Sequence, residues 1–234
     1  IGSADFGKAA LEAFLDRGDE IVAVFCPPDN PKSTKPEVLK EAALAKGLTP
    51  LQFSSLKGPE AAQAMIDSKA DICVMAYVLQ FVPQELCKIP KHGTIQYHPS
   101  LLPKYRGASP IQAAIRSGDT ETGVTIMFMD EGLDTGDILL MDVMPILPSD
   151  TGGILHDKLA VAAPVSLEKA LDLIAAGNPP RRVQEHALSS HCGKLKREDG
   201  RLNWSRQAVE LERLISAYNP WPGTSCLLPD GKPL

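Results

Sequence analysis

Two side chains in the stretch Thr94–His98, TIQYH, and one acid further along carry groups from which acid-base chemistry can be built. An extended segment turns successive side chains to opposite faces, so Gln96 and His98 point one way and Ile95 and Tyr97 the other. An amide and an imidazole therefore stand together near the end of a strand. In MDEGLDTGDILL, the acids Asp130, Glu131, Asp134 and Asp137 surround Gly132 and Gly136. Asp134, bracketed by glycines after an apolar run, is expected to face His98 across the sheet edge, where a carboxylate orients an imidazole and stabilises its protonated form. That is proton-transfer geometry without a nucleophilic side chain. The plainer alternative, a core histidine with satisfied partners and a glutamine at an edge, fits the same residues.

The acids also invite a calcium reading, but the pattern D-x-[DN]-x-[DN]-G is absent and no Glu stands where a bidentate ligand is needed. No metal is expected. Behind His98, Pro99 and Pro103 stiffen the chain, Gly107 permits close backbone approach, and Lys104 and Arg106 bring positive charge. A stiff basic loop at a strand end, running on to Pro110, reads as a binding wall.

Something must hold these groups. Apolar runs rich in β-branched residues recur at 20–25 (EIVAVF), 70–78 (ADICVMAYV), 93–98 (GTIQYH) and 123–129 (GVTIMFM), and such continuous runs read as buried parallel strands. Between them FGKAALEAFLDRG, KPEVLKEAALAKG and GPEAAQAMIDSKA repeat apolar residues at helical spacing and end in Gly or Pro. The alternation predicts an α/β fold, a Rossmann-like open, mostly parallel sheet with helices on both faces, followed by the start of a small β-rich C-terminal domain. Gly2 and Gly7 flank a tight turn whose spacing is not GxGxxG, and the chain is expected to begin inside its first strand. GDILLMDVMPI holds one or two more strands, and a long helix runs from about 151 to 176. Beyond it, 177–206 is polar and loop-like, AVELERLISAY is a short amphipathic helix, and Asp230-Gly231 signals a hairpin. The expected domains are 1–177 catalytic, 178–206 linker, and 207–234 the start of a barrel-like domain.

The 234 residues are 44% hydrophobic with a net charge of -5, which suits one large core and argues against a nucleic-acid surface spread over the whole chain. Five cysteines without a CxxC read as free thiols of a reducing compartment. The apolar stretches fall far short of the roughly 20 residues of a membrane span. A cytoplasmic protein that does not engage a membrane is expected.

The motif HPSLLPKYRGASPI, the spacing from His98 to Asp134, GVTIMFMDEGLDTGDILL and NPWPG together resemble the folate-dependent formyltransferase family, which includes methionyl-tRNA formyltransferases and the hydrolase domain of 10-formyltetrahydrofolate dehydrogenase. The resemblance implies 10-formyltetrahydrofolate as co-substrate, an amine acceptor such as initiator methionyl-tRNA, and no metal. His98, Asp134, Ser100, Leu101, Leu102 and Pro103 match the family pattern, whereas the family's asparagine is replaced by Gln96. By that resemblance His98, Asp134 and Gln96 are catalytic, and Gln80, Phe81 and Val82, with Ser100 to Pro103, contact the folate. Gln keeps the amide donor but adds a methylene; misplacing one oxyanion donor costs on the order of 3 kcal/mol.

The acceptor is less defined. CPPDNPKSTKP has only Lys32 and Lys35 where transferases acting on tRNA carry a basic insertion, which weakens the phosphate grip. QYHPSLLP leans toward the hydrolase and LNWSRQAVELERLISAYNPWPG toward the transferase. Water, a sugar amine, and a folate-binding module without catalysis all stay open.

Overall fold

The structure is a computed structural model that describes residues 1–31, 36–78 and 80–227. Lys32, Lys35 and the Asp230-Gly231 hairpin signal lie outside them. In chain order the elements are α1 (Ala4–Arg17), β1 (Val24–Cys26), α2 (Val38–Ala45), β2 (Pro50–Gln52), α3 (Pro59–Ser68), β3 (Cys73–Met75), α4 (Gln84–Cys87), β4 (Thr94–His98), β5 (Arg106–Gly107), α5 (Pro110–Ser117), β6 (Glu121–Phe128), β7 (Ile138–Pro145), α6 (Gly152–Ala175), β8 (His191–Cys192) and α7 (Ala208–Tyr218). They form two compact units that interleave along the chain. One holds Ile1–His98, Ile126–Leu140 and Ala160–Gln184; the other holds Pro99–Thr125, Met141–Leu159 and Glu185–Leu234.

In the first unit, β1 pairs in parallel with β2 and β3 with β4. Residues 1–3 thread between β1 and β3: the Gly2 N–H donates to the Phe25 carbonyl at 3.0 Å and the Ala76 N–H to that of Ile1 at 3.0 Å. A Cβ on Gly2 would stand 2.6 Å from the Ala76 carbonyl oxygen, so this close approach requires glycine. Both sheet faces are buried, as continuous apolar runs demand. Val24 and Cys26 join Leu11, Leu39 and Ala43, while Phe25 between them joins Met65, Met75 and Leu86 on the opposite side. Burial of one such side chain stabilises by roughly 1.5–3 kcal/mol. Helix α1 places Phe6, Ala10, Leu11 and Phe14 inward at spacings of three and four and ends at Gly18 in the left-handed conformation.

The sheet continues in the order β3-β4-β6-β7. Here the expectation of another parallel strand at 123–129 is corrected. Met129, just past the end of β6, donates to Thr94 at the start of β4, so β6 runs back along β4. Hydrogen bonds from Phe128 to Asp137 and from Ile146 to Thr120 make β6 and β7 an antiparallel hairpin. Periodicity reports burial and not strand direction. The strands expected at 20–25 and 70–78 shrink to three residues each, and β7 is a single strand.

In the second unit, Pro110 and Gly118 bound α5, which packs against α7. Arg116 Nη1 donates to the Tyr218 hydroxyl at 2.9 Å. Helix α7 spans the residues read from the sequence and buries Leu211, Leu214, Ala217 and Tyr218. The stretch 177–206 is less loop-like than expected, with short 3-10 turns at His186–Leu188 and Arg197–Gly200 and with β8 paired to β5. Among the described residues no helix is long and apolar enough to cross a membrane.

Candidate active site

Strand β4 delivers two of the three expected catalytic side chains. Its buried face carries Tyr97, whose ring packs on Phe6 with centroids 5.3 Å apart. Burial, with a smaller contribution from Tyr77, pushes its phenol far above the ordinary range, so it stays neutral. On the other face are Gln96, half-buried, and His98, buried at 3% exposure.

Asp134 meets them. Its Oδ2 lies 3.6 Å from His98 Nδ1, and its Oδ1 accepts from Gln96 Nε2 at 3.4 Å. The carboxylate is 7% exposed and addresses the imidazole with one oxygen and the amide with the other. Both separations exceed those of tight hydrogen bonds, as catalytic contacts often do before substrate draws them in.

The loop behind β6 makes this meeting possible. Asp134 has a φ of 54°, a left-handed conformation that Asp tolerates better than most residues. Thr135 Oγ1 donates to Asp130 Oδ1 at 2.6 Å, and the Gly132 N–H reaches the same oxygen at 3.0 Å. The loop closes so tightly at its base that a Cβ on Gly136 would stand 1.7 Å from the Phe128 carbonyl oxygen. Of the acids read as a possible calcium loop, Asp130 thus serves the loop's own folding, while Asp134 faces the imidazole and the amide. Among the described residues no three His, Cys, Asp or Glu side chains gather as a metal site.

One partner escaped the sequence reading. Gln184, 3% exposed, donates from Nε2 to the carbonyl oxygens of Asp134 and Gly136 at 2.9 and 2.8 Å. It lies in a polar stretch with no periodicity, so nothing local distinguishes it; only its burial does.

The expected folate-contacting residues divide. Gln80 donates from Nε2 to the Phe53 carbonyl at 2.9 Å, while its Oε1 is buried with no hydrogen-bond partner among the described residues. The Phe81 ring is 66% exposed, with Lys57 Nζ 4.7 Å from its centroid, and Val82 packs on the cluster around Phe25. Ser100, Leu101, Leu102 and Pro103 belong to the second unit. Ser100 is fully buried, with its hydroxyl donating to the Lys104 carbonyl at 2.6 Å. Thr125 Oγ1 donates to the Ser100 carbonyl at 2.6 Å and accepts from the Leu102 N–H at 3.2 Å, and Leu102 is buried. The polar groups of Ser100 and Leu102 thus hold their own turn.

Comparison with known proteins gives this geometry a setting. The family model "Formyl transferase" matches residues 1–171 and "Formyl transferase, C-terminal domain" matches residues 194–234. The methionyl-tRNA formyltransferase of Marinobacter nauticus is 44% identical over 95% of this chain and 73% of its own length. Among solved structures, an N-formyltransferase from Helicobacter canadensis in complex with folinic acid and dTDP-3-aminofucose superposes with a TM-score of 0.72 at 20% identity, covering 92% of this chain and 78% of that one. A variant of HypX from Aquifex aeolicus gives 0.70 at 17% identity, covering 98% of this chain; this chain spans about a third (35%) of HypX. At such identities the likeness is one of fold. With a family model matched over most of its length and a relative 44% identical, the chain belongs to the formyl transferase family.

Proposed function

We propose that this enzyme transfers the formyl group of 10-formyltetrahydrofolate to the α-amine of initiator methionyl-tRNA. The observation that carries the chemistry is the convergence of His98 and Gln96 on buried Asp134. The amine attacks the formyl carbon, a carbon–nitrogen bond forms, and negative charge develops on the formyl oxygen. The His98 imidazolium and the Gln96 amide stabilise that charge, and Asp134 stabilises the imidazolium and relays the proton that the amine loses. The tetrahedral intermediate then expels N10, which takes up a proton to give tetrahydrofolate. No covalent enzyme intermediate is needed.

Gln96 is a departure with a physical consequence. Its amide reaches Asp134 Oδ1 at 3.4 Å, so one N–H is shared with the acid while the amide's second N–H can serve the oxyanion. For the folate, the Gln80 Oε1, which has no hydrogen-bond partner among the described residues, and the exposed Phe81 ring under Lys57 supply a hydrogen-bond acceptor and a stacking surface that suit a flat, polar-edged ring. The acceptor assignment leans on the 44% identical relative and its name. We divide the chain into a catalytic part at 1–177, a linker at 178–206 and a C-terminal part from 207. The free thiols suit a reducing compartment, and we place the enzyme in the cytoplasm.

The test is tetrahydrofolate release from 10-formyltetrahydrofolate, followed optically with methionyl-tRNA, with an amino sugar nucleotide, and with water alone. Fast release only with methionyl-tRNA is expected. Equal release in water would make the enzyme a hydrolase, a preference for the sugar would move the acceptor, and folate binding without release would make the chain a non-catalytic module.

A further inference from the structure

We infer that Gln184 is a positioning residue for the formyl-transfer site, acting through Asp134. The segment Arg181–Gln184 clasps the acid-bearing loop at successive points. Arg181 lays its guanidinium 3.6 Å from the centroid of the Phe128 ring and reaches Asp137 at 3.9 Å. Arg182 exchanges both backbone hydrogen bonds with Ile138, at 2.8 and 3.0 Å. Gln184 closes the clasp with one nitrogen bonded to two carbonyls, those of Asp134 and Gly136.

The geometry makes this last contact more than packing. Asp134 holds a left-handed backbone conformation that few non-glycine residues adopt, and surrounding contacts must keep it there. Gln184 fixes the Asp134 carbonyl and, across Thr135, the next carbonyl but one. With both oriented, the peptide planes that follow Asp134 and Gly136 are held relative to each other, and the Asp134 carboxylate stays turned toward His98 and Gln96. The amide group suits the task because its two N–H bonds diverge toward two acceptors. A carboxylate at the same place would oppose both carbonyl oxygens. Removing Gln184 leaves those carbonyls buried without this donor and frees Asp134 to relax, which moves its oxygens away from the imidazole.

The experiment measures kcat and KM for 10-formyltetrahydrofolate in Gln184→Ala and Gln184→Asn, together with Tm, in the parent and in an Asp134→Ala background. In the parent, Gln184→Ala is expected to lower kcat by about tenfold to a hundredfold, since misplacing a reacting group by about 1 Å costs up to a hundredfold, while KM stays within about twofold. Gln184→Asn keeps the donors one methylene short and shows a milder form of the same split. It carries the test if the alanine variant does not fold. In the Asp134→Ala background Gln184→Ala costs no further rate, because its whole effect passes through the missing acid. A folded Gln184→Ala or Gln184→Asn with parental kcat overturns the inference, as does an equal loss in both backgrounds. The inference rests on the proposed role of Asp134, and the two fail differently. Parental rates in Asp134→Ala would sink that role itself, whereas a crippled Asp134→Ala beside an unaffected Gln184→Ala would sink only the clasp.

Discussion

Two loops of this protein carry its densest sequence motifs, and they use their polar groups in opposite ways. The loop from Asp130 to Asp137, in the first unit, aims a buried carboxylate at an imidazole and an amide. The turn from Ser100 to Tyr105, in the second, uses its polar groups to hold its own shape: the Ser100 hydroxyl bonds the Lys104 carbonyl, and Thr125 of β6 ties down both the Ser100 carbonyl and the Leu102 N–H. Each loop holds one non-glycine residue at positive φ, Asp134 at 54° and Tyr105 at 59°. Strain and motif density are therefore shared, and neither singles out chemistry. What separates the loops is whether a charged group, buried beside an ionisable partner, is aimed outward from the loop's own hydrogen bonds.

Removing the aimed group has the largest expected effect. Asp134→Ala or His98→Ala is expected to slow formyl release by at least about a hundredfold with folate affinity nearly intact, because both groups act on charge that develops only in the transition state. Loss of affinity with unchanged turnover at saturation would reverse the assigned roles. Gln96→Leu follows, with a loss of up to roughly 3 kcal/mol of transition-state stabilisation, whereas Gln96→Asn keeps or raises kcat by restoring a shorter amide. Equal kcat in the parent and both variants would remove Gln96 from the catalytic set.

The second loop predicts the opposite signature. Thr125→Val deletes the hydroxyl that holds Ser100 and Leu102 at a fully buried position, so it should destabilise by about 1–3 kcal/mol, read from chemical denaturation, with kcat unchanged. A drop in kcat without a drop in stability would place that turn in the chemistry. The smallest expected effect lies at the exposed ring. Phe81→Ala should raise KM for the folate by about fivefold to tenfold, the worth of one stacking contact, and leave kcat alone. Unchanged KM would detach Phe81 from the folate.

Much of the architecture is legible in the residues. Apolar runs and helical spacing marked α1, α6 and α7 and the buried strand carrying Gln96 and His98, because burial and periodicity are local properties of the chain. The strand period put Gln96 and His98 on one face, and the glycines around Asp134 announced a loop able to carry an acid into a buried site. Other features exist only in the folded chain. That β6 runs antiparallel to β4 could not be read from a run of apolar residues, which look alike in either direction. That Thr125 bonds the Ser100 carbonyl while Gln184 bonds the carbonyls of Asp134 and Gly136 depends on contacts between residues far apart in the chain. A hydroxyl or an amide has the same composition whether it faces a ligand or a neighbouring carbonyl, and only the folded chain brings to it the partner that settles which.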